Sequence, residues 1–272
     1  MLKKGAEKRE LSYDEDMEDQ IIRLSCIVFL HESRRLFVPT CKSLLEQSCQ
    51  SFEIIFVGAK LSQQERSLFA ERPDLFVTQC YGQGESVAAM MRDAFARAKG
   101  EYMQIFSLGN RYLWPGAMEE ILYILQKGSF DLFISAAFVR DQGLPEVVSG
   151  ESLLASWKKG IIDPPLHGVI FARGSLFPDT TFFRDVRHHL ALACLVELLG
   201  RADLKMYLSR RVYIDWDEEL FLSDQALEKT IEKIAIIKER LGAQRAFSHC
   251  LHLARFGWSA FCRKLRKVFS LY

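Results

Sequence analysis

What this chain of 272 residues lacks narrows its chemistry before any motif is read. Its seven cysteines (Cys26, Cys41, Cys49, Cys80, Cys194, Cys250 and Cys262) are scattered and odd in number. None makes a Cys-x-x-Cys spacing, so they read as reduced core residues rather than a disulfide framework. No run of 18 apolar residues occurs, and no membrane-spanning helix is expected. Lys3, Lys4, Lys8 and Arg9 are not followed by the apolar stretch of a secretory leader, so the chain is expected to be made and kept in the cytoplasm. A formal net charge of +1 names no partner. Between Tyr102 and Met118 there is no carboxylate, no His and no Cys, and these are the residue types that carry most acid–base and metal chemistry.

What is present describes an ordinary globular chain with a basic end. Hydrophobic residues make up 49% and charged ones 26%, and 20 Phe with 4 Trp predict a well-filled interior. The length suits one domain with an appendage. Residues 1–20 carry too few apolar groups to offset ordering entropy and are expected to form a flexible leader. A domain over 21–215 and a C-terminal arm over 216–272 follow.

Within that domain, short apolar runs at 26–30, 52–57, 75–80, 101–106 and 131–139 predict strands. They alternate with helix-period segments at 39–48, 61–69, 87–98 and 116–126. Pro39 is placed in the first turn of its helix, and Ser86 is placed as a cap. This alternation predicts an α/β fold with a largely parallel, doubly wound sheet flanked by helices. The centre is residues 100–115: a strand to Phe106, then an exposed loop from Ser107 to Arg111 beyond its carboxyl end, where ligands of open α/β sheets sit. Gly82-Gln-Gly84 is explained by turn geometry and is weak as a phosphate loop.

Four segments, in register, resemble the family 2 glycosyltransferases, whose nucleotide-binding fold is of the GT-A type. Residues 39–57 (Pro-Thr-Cys-Lys-Ser-Leu-Leu to Phe-Glu-Ile-Ile-Phe-Val) resemble the first helix and second strand. Residues 94–102 (Ala-Phe-Ala-Arg-Ala-Lys-Gly-Glu-Tyr) resemble the helix running into the central strand. Residues 111–118 (Arg-Tyr-Leu-Trp-Pro-Gly-Ala-Met) are similar to the segment after the metal-binding motif, and 167–177 (His-Gly-Val-Ile-Phe to Phe) to a later strand. The likeness spans roughly residues 24–210. It implies transfer of a sugar from a nucleotide diphosphate donor, with acidic residues at three places. One holds the nucleoside, a pair binds the metal that neutralises the leaving diphosphate, and a late one takes the acceptor proton.

All three places have lost the acid. They read Val57-Gly58-Ala59-Lys60, Ser107-Leu108-Gly109-Asn110 and the stretch near Ala191 to Ala193. A divalent metal is therefore not expected, and no other cofactor is implied. The resemblance instead places Glu32, Lys60, Arg92, Asn110 and Arg111 around a nucleotide, where fixed cations neutralise a diphosphate as a metal does; the alternative reading is that the three cations lie on solvated faces and that Glu32 is a plain loop residue. It places His167, His188 and His189 on the acceptor side; paired surface or capping histidines are the plainer account of the last two.

From Gln244 onward, Phe247, Leu251, Ala254, Trp258, Phe261, Leu265, Phe269 and Tyr272 share one helical stripe. Arg245, His252, Arg255, Arg263, Arg266 and Lys267 lie opposite. Such a helix docks on its own core, on a partner protein, or on an anionic inner leaflet through Trp258, Phe261, Arg263, Lys264, Arg266 and Lys267. Residues 224–241 pair with it as a hairpin across Gly242 or form a homodimer element. Nucleic acid is not expected as a partner. Two functions stay open. One is a metal-independent glycosyltransferase acting on a cell-envelope glycan or lipid at the inner face of the membrane. The other is a binding or scaffold protein that keeps the fold without the reaction.

Overall fold

The computed structural model describes residues 22–30, 34–81, 87–141, 144–158, 168–176, 198, 201 and 203–216. In chain order these form β1 (Leu24–Phe29), α1 (Phe37–Leu45), β2 (Phe52–Val57), α2 (Gln63–Ser67), β3 (Phe76–Cys80), α3 (Val87–Arg97), β4 (Tyr102–Ser107) and β5 (Asn110–Tyr112). There follow α4 (Ala117–Gly128), β6 (Leu132–Asp141), β7 (Leu144–Val148), α5 (Gly150–Lys158), β8 (Val169–Ala172), α6 (Arg173–Leu176), β9 (Met206–Val212) and β10 (Ile214–Trp216). The expected leader and the C-terminal helices lie outside the described residues.

The main sheet has the order β3-β2-β1-β4-β8-β6-β7, with β9 also paired to β6. β3, β2, β1 and β4 run parallel. β8 is antiparallel to both β4 and β6, and β9 is parallel to β6. Six of the eight strands thus point one way, as the alternation of strands and helices predicts. β1 and β2 are apolar runs buried almost throughout because both faces of the block are covered. Phe37, Phe52, Phe56, Phe106 and Phe133 lie fully inside the core, as the phenylalanine content leads one to expect.

At the amino ends of these strands a buried acid is paired through one of its oxygens. Glu53 Oε1 accepts from the Ser25 hydroxyl at 2.6 Å and from the Lys99 N–H at 2.6 Å, and the Gly100 N–H donates to Ser25 Oγ at 2.9 Å. A Cβ at residue 100 would lie 2.5 Å from the Ser25 nitrogen, so the turn into β4 requires glycine. Cys26, Cys41 and Cys80 are buried free thiols, and burial pushes Cys80 up to about 12. Cys194, Cys250 and Cys262 lie outside the described residues.

Two boundaries differ from expectation for local reasons. α1 begins at Phe37, two residues before Pro39, because the first-turn N–H groups have no intrahelical acceptor and a proline among them loses nothing. α2 is only five residues long, closed at its start by a Ser62–Glu65 capping box.

A larger difference concerns residues 107–111. They form no exposed loop: Leu108 and Asn110 are buried, and Asn110 opens β5, which pairs antiparallel with β10. α1 and the turn after it hold this segment with a stripe of polar side chains at helical spacing. Thr40 Oγ1 accepts the Gly109 N–H at 2.8 Å, and Ser43 Oγ accepts the Tyr112 N–H at 3.3 Å. Gln47 accepts the Met118 N–H at 3.0 Å and donates to the Trp114 carbonyl at 3.1 Å. Each satisfies a backbone group that would otherwise be buried unpaired. Thr40→Val keeps the shape and removes one acceptor, so it is expected to cost about 1–3 kcal/mol in urea denaturation. An unchanged midpoint would show that the Gly109 N–H does not depend on α1.

Candidate functional site

The carboxyl ends of β2, β1 and β4 lie side by side and form the rim where an α/β sheet binds ligands. β2 leaves the sheet through Gly58, whose φ of 114° suits glycine and whose added Cβ would lie 2.8 Å from the Leu30 carbonyl oxygen. Beyond it, Lys60 is exposed and its Nζ stands 5.9 Å from the ring centre of Tyr81. Tyr81 follows β3 and is 48% exposed, a large aromatic plate open to solvent at the strand ends. Below this corner the Arg34 guanidinium pairs with Glu65 at 3.2 Å, and the Leu61 N–H donates to Gln79 Oε1. The β2–β3 side of the rim is therefore cationic and aromatic.

The β4 side is built on the turn at Gly109, whose φ is 104°. Asn110 is 1% exposed, and its Oδ1 has no hydrogen-bond partner among the described residues. Tyr112 turns to the same inner face and donates its hydroxyl to Gln104 Oε1 at 2.5 Å. Burial holds its phenol well above the usual range. Arg111, between them, faces outward. Its Nη2 donates to Asp215 Oδ2 at 2.7 Å, across the register that sets Arg111 opposite Asp215 in the β5–β10 ladder.

β10 is kept there by aromatic packing. The Tyr213 ring lies 5.3 Å from that of Trp114 and 5.6 Å from that of Phe133, and its hydroxyl donates to Glu120. Burial and the Glu120 carboxylate push this phenol up to about 12. Arg211 lies 4.3 Å over Trp114 and donates to both Glu120 oxygens.

Of the residues expected around a nucleotide, Lys60, Asn110 and Arg111 come to one end of the sheet. Arg92 sits on the exposed side of α3, opposite buried Met90, Met91, Ala94 and Phe95, roughly 8 Å along the helix from its first residue. Glu32, His167, His188, His189 and the six C-terminal residues from Trp258 to Lys267 lie outside the described residues. Sequence reasoning missed Asp215, Tyr81 and the Thr40–Ser43–Gln47 stripe. The stripe could have been found as polar residues at i, i+3 and i+7, two on α1 and Gln47 just beyond its end.

The described residues at this turn do not fit a divalent metal. A hard cation takes six or more oxygens, usually with carboxylates among them. At this turn the described donors are a neutral, buried amide oxygen and the Asp215 carboxylate, which is held by Arg111. Among the described residues no group of three His, Cys, Asp or Glu side chains could hold an ion. A cavity of about 370 Å³, open to solvent and lined by Arg23, Glu101, Gln126 and Asp131 among others, lies at the opposite end of β4 and is not part of this rim.

A parallel β3-β2-β1-β4 block with antiparallel β8 beside it, and a small two-stranded sheet springing from the turn after β4, is a GT-A type fold. No protein-family model matches the sequence, and no curated protein does. Solved structures do. Residues 1–349 of S. aureus TarS align with a TM-score of 0.57 at 14% identity, over 86% of this chain and 72% of that one. The same protein in complex with UDP-GlcNAc gives 0.54 and 14%, over 84% and 69%. The mannosyltransferase PcManGT from Pyrobaculum calidifontis, in complex with GDP-Man and Mn2+, gives 0.53 and 14%, over 93% and 81%. At such identities the likeness is one of fold.

Asn110→Asp tests the absence of a metal site. A carboxylate placed in that buried position without a donor is expected to cost about 3 kcal/mol, read as a lower urea midpoint, and Mn2+ is expected not to restore it. Recovery of the midpoint with Mn2+ would mean that the turn can assemble an oxygen cage.

Proposed function

We propose that this chain binds a nucleoside diphosphate, the donor half of a nucleotide sugar, across the carboxyl ends of β2, β1 and β4, and that its own cations take the place of a metal. The observation that carries the reading is the Arg111 guanidinium, held by Asp215 at the mouth of the β4–β5 turn. β2 and β4 flank β1, so their ends stand about 10 Å apart at the usual strand spacing. A nucleoside diphosphate bridges that separation with its base toward Lys60, beside which the Tyr81 ring of the next strand stands, and its phosphates toward Arg111.

In sugar transfer an acceptor hydroxyl oxygen bonds to the anomeric carbon and gives up its proton to a base, the bond from that carbon to the diphosphate breaks, and negative charge grows on the leaving phosphate oxygen. Arg111 offers fixed N–H donors and positive charge to that oxygen, the electrostatic part of the reaction. The reading includes family 2 type transfer to a cell-envelope glycan or lipid, with the basic amphipathic segment at 247–272 meeting the membrane surface. Among the described residues no helix is long and apolar enough to cross a membrane. The lack of a carboxylate between Tyr102 and Met118, with the Asp215 carboxylate already engaged by Arg111, favours a second reading, in which the nucleotide is bound and no sugar is transferred.

Thermal melting against UDP, GDP, CDP and ADP and their sugar conjugates, each in EDTA and in Mn2+, tests both. A competent site occupied at 100 times its dissociation constant gains about 2.7 kcal/mol, a shift of several degrees. The expected result is a shift that is the same in EDTA and in Mn2+ and is lost in Arg111→Ala. A shift that needs Mn2+ would overturn the metal-free site, and silence across the panel would overturn nucleotide binding. Stabilisation by an intact sugar nucleotide that is never consumed would favour the second reading.

A further inference from the structure

The proposed site has a carboxylate within it that repels the anion it should bind, and this apparent contradiction identifies a role. Asp215 comes from 104 residues beyond Arg111. The ladder around the pair is well pinned: Tyr112 stands opposite Ile214 and both are buried, while the Leu113 N–H donates to the Tyr213 carbonyl at 3.0 Å. Arg111 and Asp215 are directly opposed on neighbouring antiparallel strands, so their side chains leave the ladder on the same face.

The Arg111 side chain is 42% exposed and that of Asp215 21%. An exposed arginine samples many rotamers, and fixing it on a ligand costs about 0.5–1.5 kcal/mol. The 2.7 Å contact engages one of its five N–H donors and leaves the remainder of the fork for another anion.

We propose that Asp215 is a positioning residue for anion binding: it holds the Arg111 guanidinium in advance so that the open side of the fork meets a diphosphate. This rests on the nucleotide reading above. Charge alone and positioning predict opposite effects of neutralising Asp215. Removing a negative charge beside an anion site should tighten binding, whereas removing the group that orients the guanidinium should weaken it.

Isothermal titration of UDP, GDP and inorganic pyrophosphate into the full chain in EDTA separates the two. For whichever of these the wild type binds, Asp215→Asn is expected to weaken affinity about three- to tenfold by loss of preorganisation, with the ligand-free melting temperature unchanged and Asp215→Glu recovering part of the loss. Arg111→Lys keeps the charge and loses the fork, and is expected to weaken binding at least as much. Equal or tighter binding by Asp215→Asn would overturn the positioning role and leave nucleotide binding standing, and wild-type-like binding by Arg111→Lys would do the same. A wild type that binds none of the three would overturn both.

Discussion

The buried polar face of α1 is the constraint on which the rest of the site depends. Thr40 and Ser43 occupy positions that an ordinary core helix fills with aliphatic residues, Gln47 follows just past the helix end, and each answers a backbone group between Gly109 and Met118. Leaving any of these groups unpaired in the interior would cost more than a hydrogen bond gains, so the path of the chain after β4 is set by where α1 places its acceptors. That path bends at Gly109, turns Asn110 inward and delivers Arg111 outward to the rim. β10 then closes on the outer edge of β5, and Asp215 arrives opposite Arg111 as a matter of register. Scaffold and site are in this sense one hydrogen-bond network.

The electrostatics of the rim follow from that path. Where a metal would bring positive charge at the price of a carboxylate cage, the β4–β5 turn has a guanidinium paired with one acid and a buried neutral amide. An arginine needs no cage and supplies directional donors, while a cation of the alkaline-earth or manganese kind supplies greater charge density and binds only where several anionic oxygens converge. The other cationic feature of the rim, Lys60 beside the open Tyr81 ring, belongs to a different strand, so charge is spread along the strand ends rather than focused at one ion.

Much of the fold was legible in the sequence because it is written in local apolar runs. The expected strand at 52–57 is β2 to the residue, and β3, β4 and β6 fall within two residues of expectation, because strands buried on both faces read as continuous hydrophobic segments. The β5–β10 pairing was not legible. Three residues, Asn110 to Tyr112, carry too little pattern to declare a strand, and their partner lies about a hundred positions away. A Gly-Asn turn signal there reads locally as an exposed loop, and tertiary pairing overrides it. For the same reason Asp215 was invisible as a site residue: nothing near it in sequence says that it meets Arg111. Lys60, Asn110 and Arg111 were placed beside a nucleotide by the resemblance alone, and all three come to the strand ends; Arg92, placed by the same means, lies on the outer side of α3.

The most direct measurement is a crystal structure of the chain grown with UDP or GDP in the presence of Mn2+. A diphosphate lying across the ends of β1 and β4, hydrogen-bonded to the Arg111 guanidinium with Asp215 still in place and no ion between phosphate and turn, is the predicted result. A metal ion coordinated at the β4–β5 turn, or a nucleotide bound away from Arg111, would contradict it.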